Sequence, residues 1–322
     1  MELAQGIPYL LGFHPRESLV LVGTDSGRVV VTARLDIADA AAALSHTLQA
    51  MARGGATEVI AAIYADESHG CEARPAGALP MTELADDVAT AAACCGCDLL
   101  DVLLVAGRRL WSYTCKSATC CPPEGWVLDD SASPFAAAAT YAGIVALPDR
   151  DSLAAQLQPL PDERRAALLE PIEAAEDARM DAVLDGRGDK QHRSVKRAVF
   201  AAARAASAPR WAPPTDAEAA RYGAALAEHR MFEAVWAAID AGRLDGRELW
   251  RDLARRLPTP YDAPPLFLFA WNVWRKGDGT LAGMAAERAL ASDSEFSPAD
   301  LLLAALSHGV SPHRLPRVRR SA

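Results

Sequence analysis

The amino-acid sequence predicts a mixed β-sheet domain flanked by helices, α+β or α/β in class, followed by an all-α region with a tetratricopeptide-like character. Three observations carry that reading. β-branched apolar runs of strand length alternate with helix-period segments as far as residue 150. Beyond it, strand-like runs give way to apolar residues at helical spacing. Glycine, proline and aspartate fall between the runs, where turns and helix ends need them. The expected division is a mixed domain over 1–150, a helical connector over 151–210 and a helical bundle or repeat-like domain over 211–322.

Ser18 to Gly23 and Arg28 to Leu35 are strand-like and are separated by Thr24-Asp25-Ser26-Gly27, which suits a tight turn, so they form a hairpin. A helix over Ile37 to Arg53 places Ile37, Ala41, Leu44, Leu48 and Met51 on one side and stops at Gly54-Gly55. Thr57 to Ala65 is a buried strand, Met81 to Ala93 a helix after Pro80, and Leu99 to Ala106 another buried strand. A turn at Gly107-Arg108-Arg109 leads into a short strand over Leu110 to Thr114. In the second half, Pro161 to Leu184 and Asp189 to Ala206 are helical, and Ala208 to Pro214 is a proline-marked joint. Six shorter helices then follow: Asp216 to Glu228, Met231 to Ala241, Asp245 to Leu257, Pro264 to Arg275, Thr280 to Ser292 and Pro298 to Ser307. Within Leu266 to Ser294 the small and apolar residues Ala270, Ala282, Ala289 and Leu290 fall at the offsets of a tetratricopeptide repeat.

Composition narrows the function. The 322 residues are 51% hydrophobic and 23% charged, with a net charge of −9, which opposes a protein built as a whole to coat nucleic acid or an anionic membrane. No apolar run approaches the roughly 20 residues a bilayer requires. The N-terminus has Glu2 in place of a basic start, and Pro8 and His14 interrupt its apolar run, so no signal peptide is expected and the cytoplasm is the expected location. Seven cysteines, an odd number, argue for thiols or metal ligands over a secreted disulfide framework.

Several motifs stand out: Pro8-Tyr9-Leu10-Leu11-Gly12-Phe13-His14-Pro15-x-x-Ser18, the pair Arg34-x-Asp36, Trp111-Ser112-Tyr113-x-Cys115-x4-Cys120-Cys121-Pro122-Pro123-Glu124-Gly125, and Trp274-Arg275-x-Gly277-Asp278-Gly279. Together they resemble the actinobacterial domain-of-unknown-function 4192 family over most of the chain. The resemblance implies no reaction. Cys94, Cys95 and Cys97 fall outside its pattern.

Two places could carry chemistry. Right-handed crossovers make the strands ending at Leu35, Ala65 and Ala106 parallel, so their C-terminal ends share one edge, to which the residues before Ser18 return. That edge collects His14, Arg16, Glu17, Arg34, Asp36, Asp66, Glu67, Arg108 and Arg109, and open sheets often bind ligands there. His14, Arg34, Asp36 and Asp66 are the catalytic candidates, with Arg34 as an anion clamp and the others as proton carriers; the bland alternative is solvated strand ends whose charges pair. Cys115, Cys120 and Cys121 are the candidate metal ligands, with zinc as the candidate ion and Cys71, Cys94, Cys97 or His69 as sources of a fourth ligand. A reversible disulfide or simple packing beside Trp111 and Trp126 are the alternatives. The Cys94-Cys95-Gly96-Cys97 run closes a helix and lacks the N-terminus that would stabilise a thiolate.

Lys190, His192, Arg193, Lys196, Arg197 and Arg204 make one helix basic, and His313 to Arg320 is a basic tail; a solvated surface accounts for both, and a nucleic-acid partner is not expected. The leading functional expectation is a protein-interaction or regulatory module with a protein partner and no membrane. The alternatives are a hydrolase or transferase acting on an anionic small molecule at the sheet edge, and a zinc-stabilised or thiol-redox protein.

Overall fold

The computed structural model describes residues 2–66, 79–128, 134–141, 144–312, 315 and 317. Two compact units form, one from Met1–Leu153 with Ser307–Ser311 and the other from Ala154–Leu306 with Pro312–Ala322. His69, Cys71 and Glu67 lie outside the described residues, as does the basic tail apart from Leu315 and Arg317.

The first unit is built on a six-stranded mixed sheet of order β2-β1-β3-β4-β5-β6. Its strands are β1 (Ser18–Asp25), β2 (Arg28–Asp36), β3 (Glu58–Ala65), β4 (Asp98–Ala106), β5 (Arg109–Ser112) and β6 (Trp126–Val127). β1 lies between β2 and β3 and is antiparallel to both, so β2 and β3 run the same way, and β3 pairs in parallel with β4. That central position explains its composition: Leu19, Val20, Leu21 and Val22 are all buried, because both faces of β1 are covered. The expected hairpin and crossovers are present.

The crossovers are α2 (Ile37–Gly54) and α3 (Thr82–Cys95), which cover one sheet face. Leu44, Leu48 and Met51 of α2 and Val88 and Ala92 of α3 pack there on Leu19, Leu21, Ile63 and Leu104. At Gly23 the β1–β2 register shifts, and a Cβ would lie 2.8 Å from that of Ala56, so a side chain here would push the sheet off α2.

The sequence did not predict α1 (Glu2–Leu11), because Pro8 lies inside it. Proline has no N–H to give the Ala4 carbonyl; the Tyr64 hydroxyl donates to that oxygen instead, at 3.2 Å, and ties α1 to β3. Two further short helices, α4 (Pro134–Tyr141) and α5 (Arg150–Ala155), are also additions.

In the second unit, the single helix expected over 161–184 is broken into α6 (Asp162–Ala166) and α7 (Leu169–Leu184). The break falls beside Arg165, whose guanidinium donates to the Leu257 carbonyl at 2.9 Å and pairs with Asp262 at 3.0 Å. The remaining helices are α8 (Gly188–Ala205), α9 (Asp216–Leu226), α10 (His229–Asp240), α11 (Arg247–Arg256), α12 (Ala263–Arg275), α13 (Gly279–Ser292) and α14 (Ser297–Ser307). Thr215 and Glu218 cap α9 reciprocally, and the joint before it is largely exposed. On α8, Lys190, Arg193, Lys196, Arg197, Phe200 and Arg204 line a shallow groove, with Lys196 and Arg204 over the Phe200 ring.

α12 is the centre of this unit. Every residue from Ala263 to Trp274 is buried, and the helix packs on α9, α10, α11 and α13. It packs most extensively on α13 and α11, its neighbours in the chain, and less on α10 and α9. The Trp274-Arg275-x-Gly277-Asp278-Gly279 motif makes the turn out of α12. Gly277 takes a φ of 97°, and Asp278 caps α13 by accepting from the Leu281 N–H at 2.9 Å. Arg275 donates to Asp240 at 2.7 Å. Among the described residues, no helix is long and apolar enough to cross a membrane.

Candidate metal centre

The sheet edge gathers the expected residues. Ser18 pairs with Asp36 on one side and with Tyr64 on the other, so Asp36 and the chain reaching Asp66 lie at the same end of the sheet, two strand spacings or about 10 Å apart. Arg34 and Asp36 project from the same face of β2 and form an ion pair at 2.6 Å. The Asp66 N–H donates to the Glu17 carboxylate at 2.6 Å. His14 is exposed and its N–H donates to the Leu147 carbonyl at 2.9 Å. Among the described residues, no hydrogen bond or ion pair joins the His14 ring to Arg34, Asp36 or Asp66. The edge therefore assembles carboxylates and an arginine that already neutralises one of them, with the His14 ring joined to none of Arg34, Asp36 and Asp66.

The cysteines are brought closer together. β5 runs back along β4, and where it ends Asp101 accepts from the hydroxyls of Ser112 at 2.7 Å and Thr114 at 2.6 Å. One more backbone bond to β4 follows, from the Tyr113 N–H to the Val102 carbonyl at 2.9 Å, and the strand itself ends at Ser112, short of the expected Thr114. The Ser112 hydroxyl accepts from the Cys115 N–H at 3.0 Å, and the Ser117 carbonyl accepts from the N–H groups of Cys120 and Cys121 at 3.1 and 2.7 Å. One tight turn thus folds both later cysteines back onto the first. The Sγ atoms of Cys115, Cys120 and Cys121 all lie within 4.8 Å of one another. All three thiols are free.

The turn is strapped down by aromatic and cationic side chains. Trp126 donates to the Cys120 carbonyl at 2.8 Å, Trp111 to the Pro123 carbonyl at 3.0 Å, and Arg109 to the Glu124 carbonyl at 2.8 Å. Gly125 has a φ of 75°, and a Cβ there would lie 2.5 Å from the Trp111 ring. Replacing Gly125 with Ala is accordingly expected to lift the turn off Trp111, lower stability by about 1–3 kcal/mol and loosen the thiol cluster. Thermal unfolding together with near-ultraviolet circular dichroism checks this; an unchanged melting temperature and spectrum would contradict the strap.

The thiols differ in acidity. A hydrogen bond from the Ser117 backbone, joined by those of Cys121 and Cys120, holds Cys115 below the usual thiol range. Burial, then hydrogen bonds and charge from its two neighbours, push Cys121 up to about 12. Of these two thiols, Cys115 is therefore the readier to ionise. Cys97 is buried among α2, α3 and the sheet, near the Ala56 carbonyl at 3.6 Å, and its thiol is raised chiefly by burial. It is a core residue apart from the cluster, and Cys94 and Cys95 lie at the end of α3 beside Gly96.

The family motifs map onto this scaffold: α1 and its exit, the Arg34–Asp36 pair, the strapped thiol turn and the turn between α12 and α13. No curated protein and no solved structure matches the chain. A family model described as a domain of unknown function (DUF4192) matches residues 1–313, and the chain belongs to that family.

Proposed function

We propose that this protein is a zinc-stabilised binding module, in which an ion held by Cys115, Cys120 and Cys121 fixes the turn over residues 115–125 as a recognition surface for a protein partner. The observation that supports it is the mutual approach of three sulfurs within 4.8 Å. Tetrahedral zinc with thiolates at about 2.3 Å holds its sulfurs about 3.8 Å apart, so the cluster needs to contract by about 1 Å at most. Thiolates favour soft or borderline ions, and a bound cation offsets the burial and the neighbouring thiols that raise the Cys121 pKa. Among the described residues no fourth ligand joins the three sulfurs, so the fourth position is open to water, to an outside ligand or to the expected His69 or Cys71, which lie outside the described residues. Trp126 and Val127, 41% and 56% exposed beside the turn, support the interaction reading, because apolar and aromatic groups anchor protein partners. Free thiols suit a reducing compartment, in keeping with a cytoplasmic location.

Elemental analysis of protein purified without chelator tests the reading. About one zinc per chain is expected, lost in Cys115→Ser and in Cys121→Ser. Because binding must expel the Cys121 proton, affinity falls as pH falls and each binding event releases protons into a weakly buffered solution. Metal-free protein with a disulfide, recognised by two thiols that react only after reduction, would replace this reading with redox chemistry.

A further inference from the structure

The helical unit contains a cavity that this reading does not use. It encloses about 420 Å³ between α7, α8, α9 and the start of α10, within the range of about 300–1,000 Å³ that small-molecule sites occupy. Ala175 and Ala178 of α7 and Ala224 and Ala225 of α9 line it, and their short side chains leave the space that larger residues would fill.

Three residues in its wall carry a buried polar atom that no hydrogen bond satisfies: Nε of Arg179, Oε1 of Gln191 and Nδ1 of His192. Protein interiors leave few such atoms, and three around one cavity point to a polar guest. The charges choose its sign. Arg230 pairs with Asp189 at 3.1 Å, and the Glu228 carboxylate lies 3.5 Å from His192 Nδ1, the same atom that lacks a hydrogen bond, so the three arginines of the wall outnumber its two carboxylates. Arg179 and Arg221 are in no ion pair among the described residues, which leaves the wall with uncompensated positive charge.

We infer that this cavity binds a small organic anion, a carboxylate or sulfonate on an apolar body. The head accepts from Arg179, with Arg221 adding charge at the rim, and the body lies on the alanine walls of α7 and α9. Gln191 and His192 bond the polar edge of the guest. The site is independent of the thiol cluster, so either can fail without the other.

The probe is octanoate, titrated calorimetrically into the full chain, with octylamine, octanol and acetate as comparisons. Octanoate is expected to bind at one site per chain. Binding should weaken by about tenfold or more in Arg179→Met, which removes the guanidinium while keeping a long apolar side chain. It should be lost in Ala178→Trp, which fills the cavity from an exposed helix position. Octylamine and acetate, lacking the charge or the apolar body, should not bind. Equal binding of octanoate by the wild type and a folded Arg179→Met variant would overturn the inference, as would octylamine or octanol binding as tightly as octanoate. Circular dichroism establishes folding, and the Arg179→Met result decides the matter even if Ala178→Trp does not fold.

Discussion

Replacing Asp262 with Asn is expected to cost the helical unit about 3–5 kcal/mol of stability, the scale of removing one member from a buried charge network. The Asp262 side chain is 3% exposed, and Arg165 and Arg288 reach one of its oxygens at 3.0 and 3.5 Å. Ser292 donates to the other oxygen. Asparagine keeps the shape and removes the charge, leaving two largely buried guanidiniums facing each other. Burial already lowers the Arg288 pKa, Asp262 opposes that shift, and the Arg165 charge reinforces it. Urea unfolding followed by tryptophan fluorescence reads the change. A loss below about 1 kcal/mol would mean that solvent screens the network as it does at a surface.

Phe267→Ala is expected to cost a comparable amount, about 3–5 kcal/mol, for a different reason. Phe267 is 0% exposed, and its ring meets Trp236 at 5.0 Å, Phe232 at 5.6 Å, Trp271 at 5.8 Å and Phe296 at 5.9 Å between centroids. Truncation removes the buried ring and leaves a cavity that these rigid neighbours fill poorly. Phe267→Leu should restore most of the loss by refilling the volume. Equal destabilisation by Ala and Leu would show that ring-to-ring geometry, and not volume, holds this core.

The parts of the fold that could be read in advance are those where local chemistry and burial agree. Leu19 to Val22 are apolar at every position because β1 is covered on both sides, and Asp25 to Gly27 can only turn. α1 was hidden because its cost and compensation lie far apart: Pro8 breaks a local hydrogen bond and Tyr64, on β3, replaces its donor. The break between α6 and α7 depends likewise on Arg165 meeting Asp262, which no periodicity within Pro161–Leu184 contains.

The candidate site was legible in identity but not in geometry. The spacing of Cys115, Cys120 and Cys121 marked the cluster. Its closure depends on Ser112 and Ser117 accepting backbone hydrogen bonds and on Trp111, Trp126 and Arg109 pinning the turn. At the sheet edge the topology was readable, whereas the engagement of Arg34 by Asp36 followed from their sharing one face of β2. The cavity was not readable, since alanines on α7 and α9 have no signature until those helices meet.

Cobalt(II) titration of the reduced, metal-free protein addresses the proposed metal centre most directly, since thiolates bound to cobalt absorb strongly through charge transfer while free thiols do not. Strong charge-transfer absorption saturating at one ion per chain, removed by zinc and abolished in Cys120→Ser, is the predicted result. Absence of that absorption, with Cys115, Cys120 and Cys121 alkylating at the same rates with and without metal, would contradict the account.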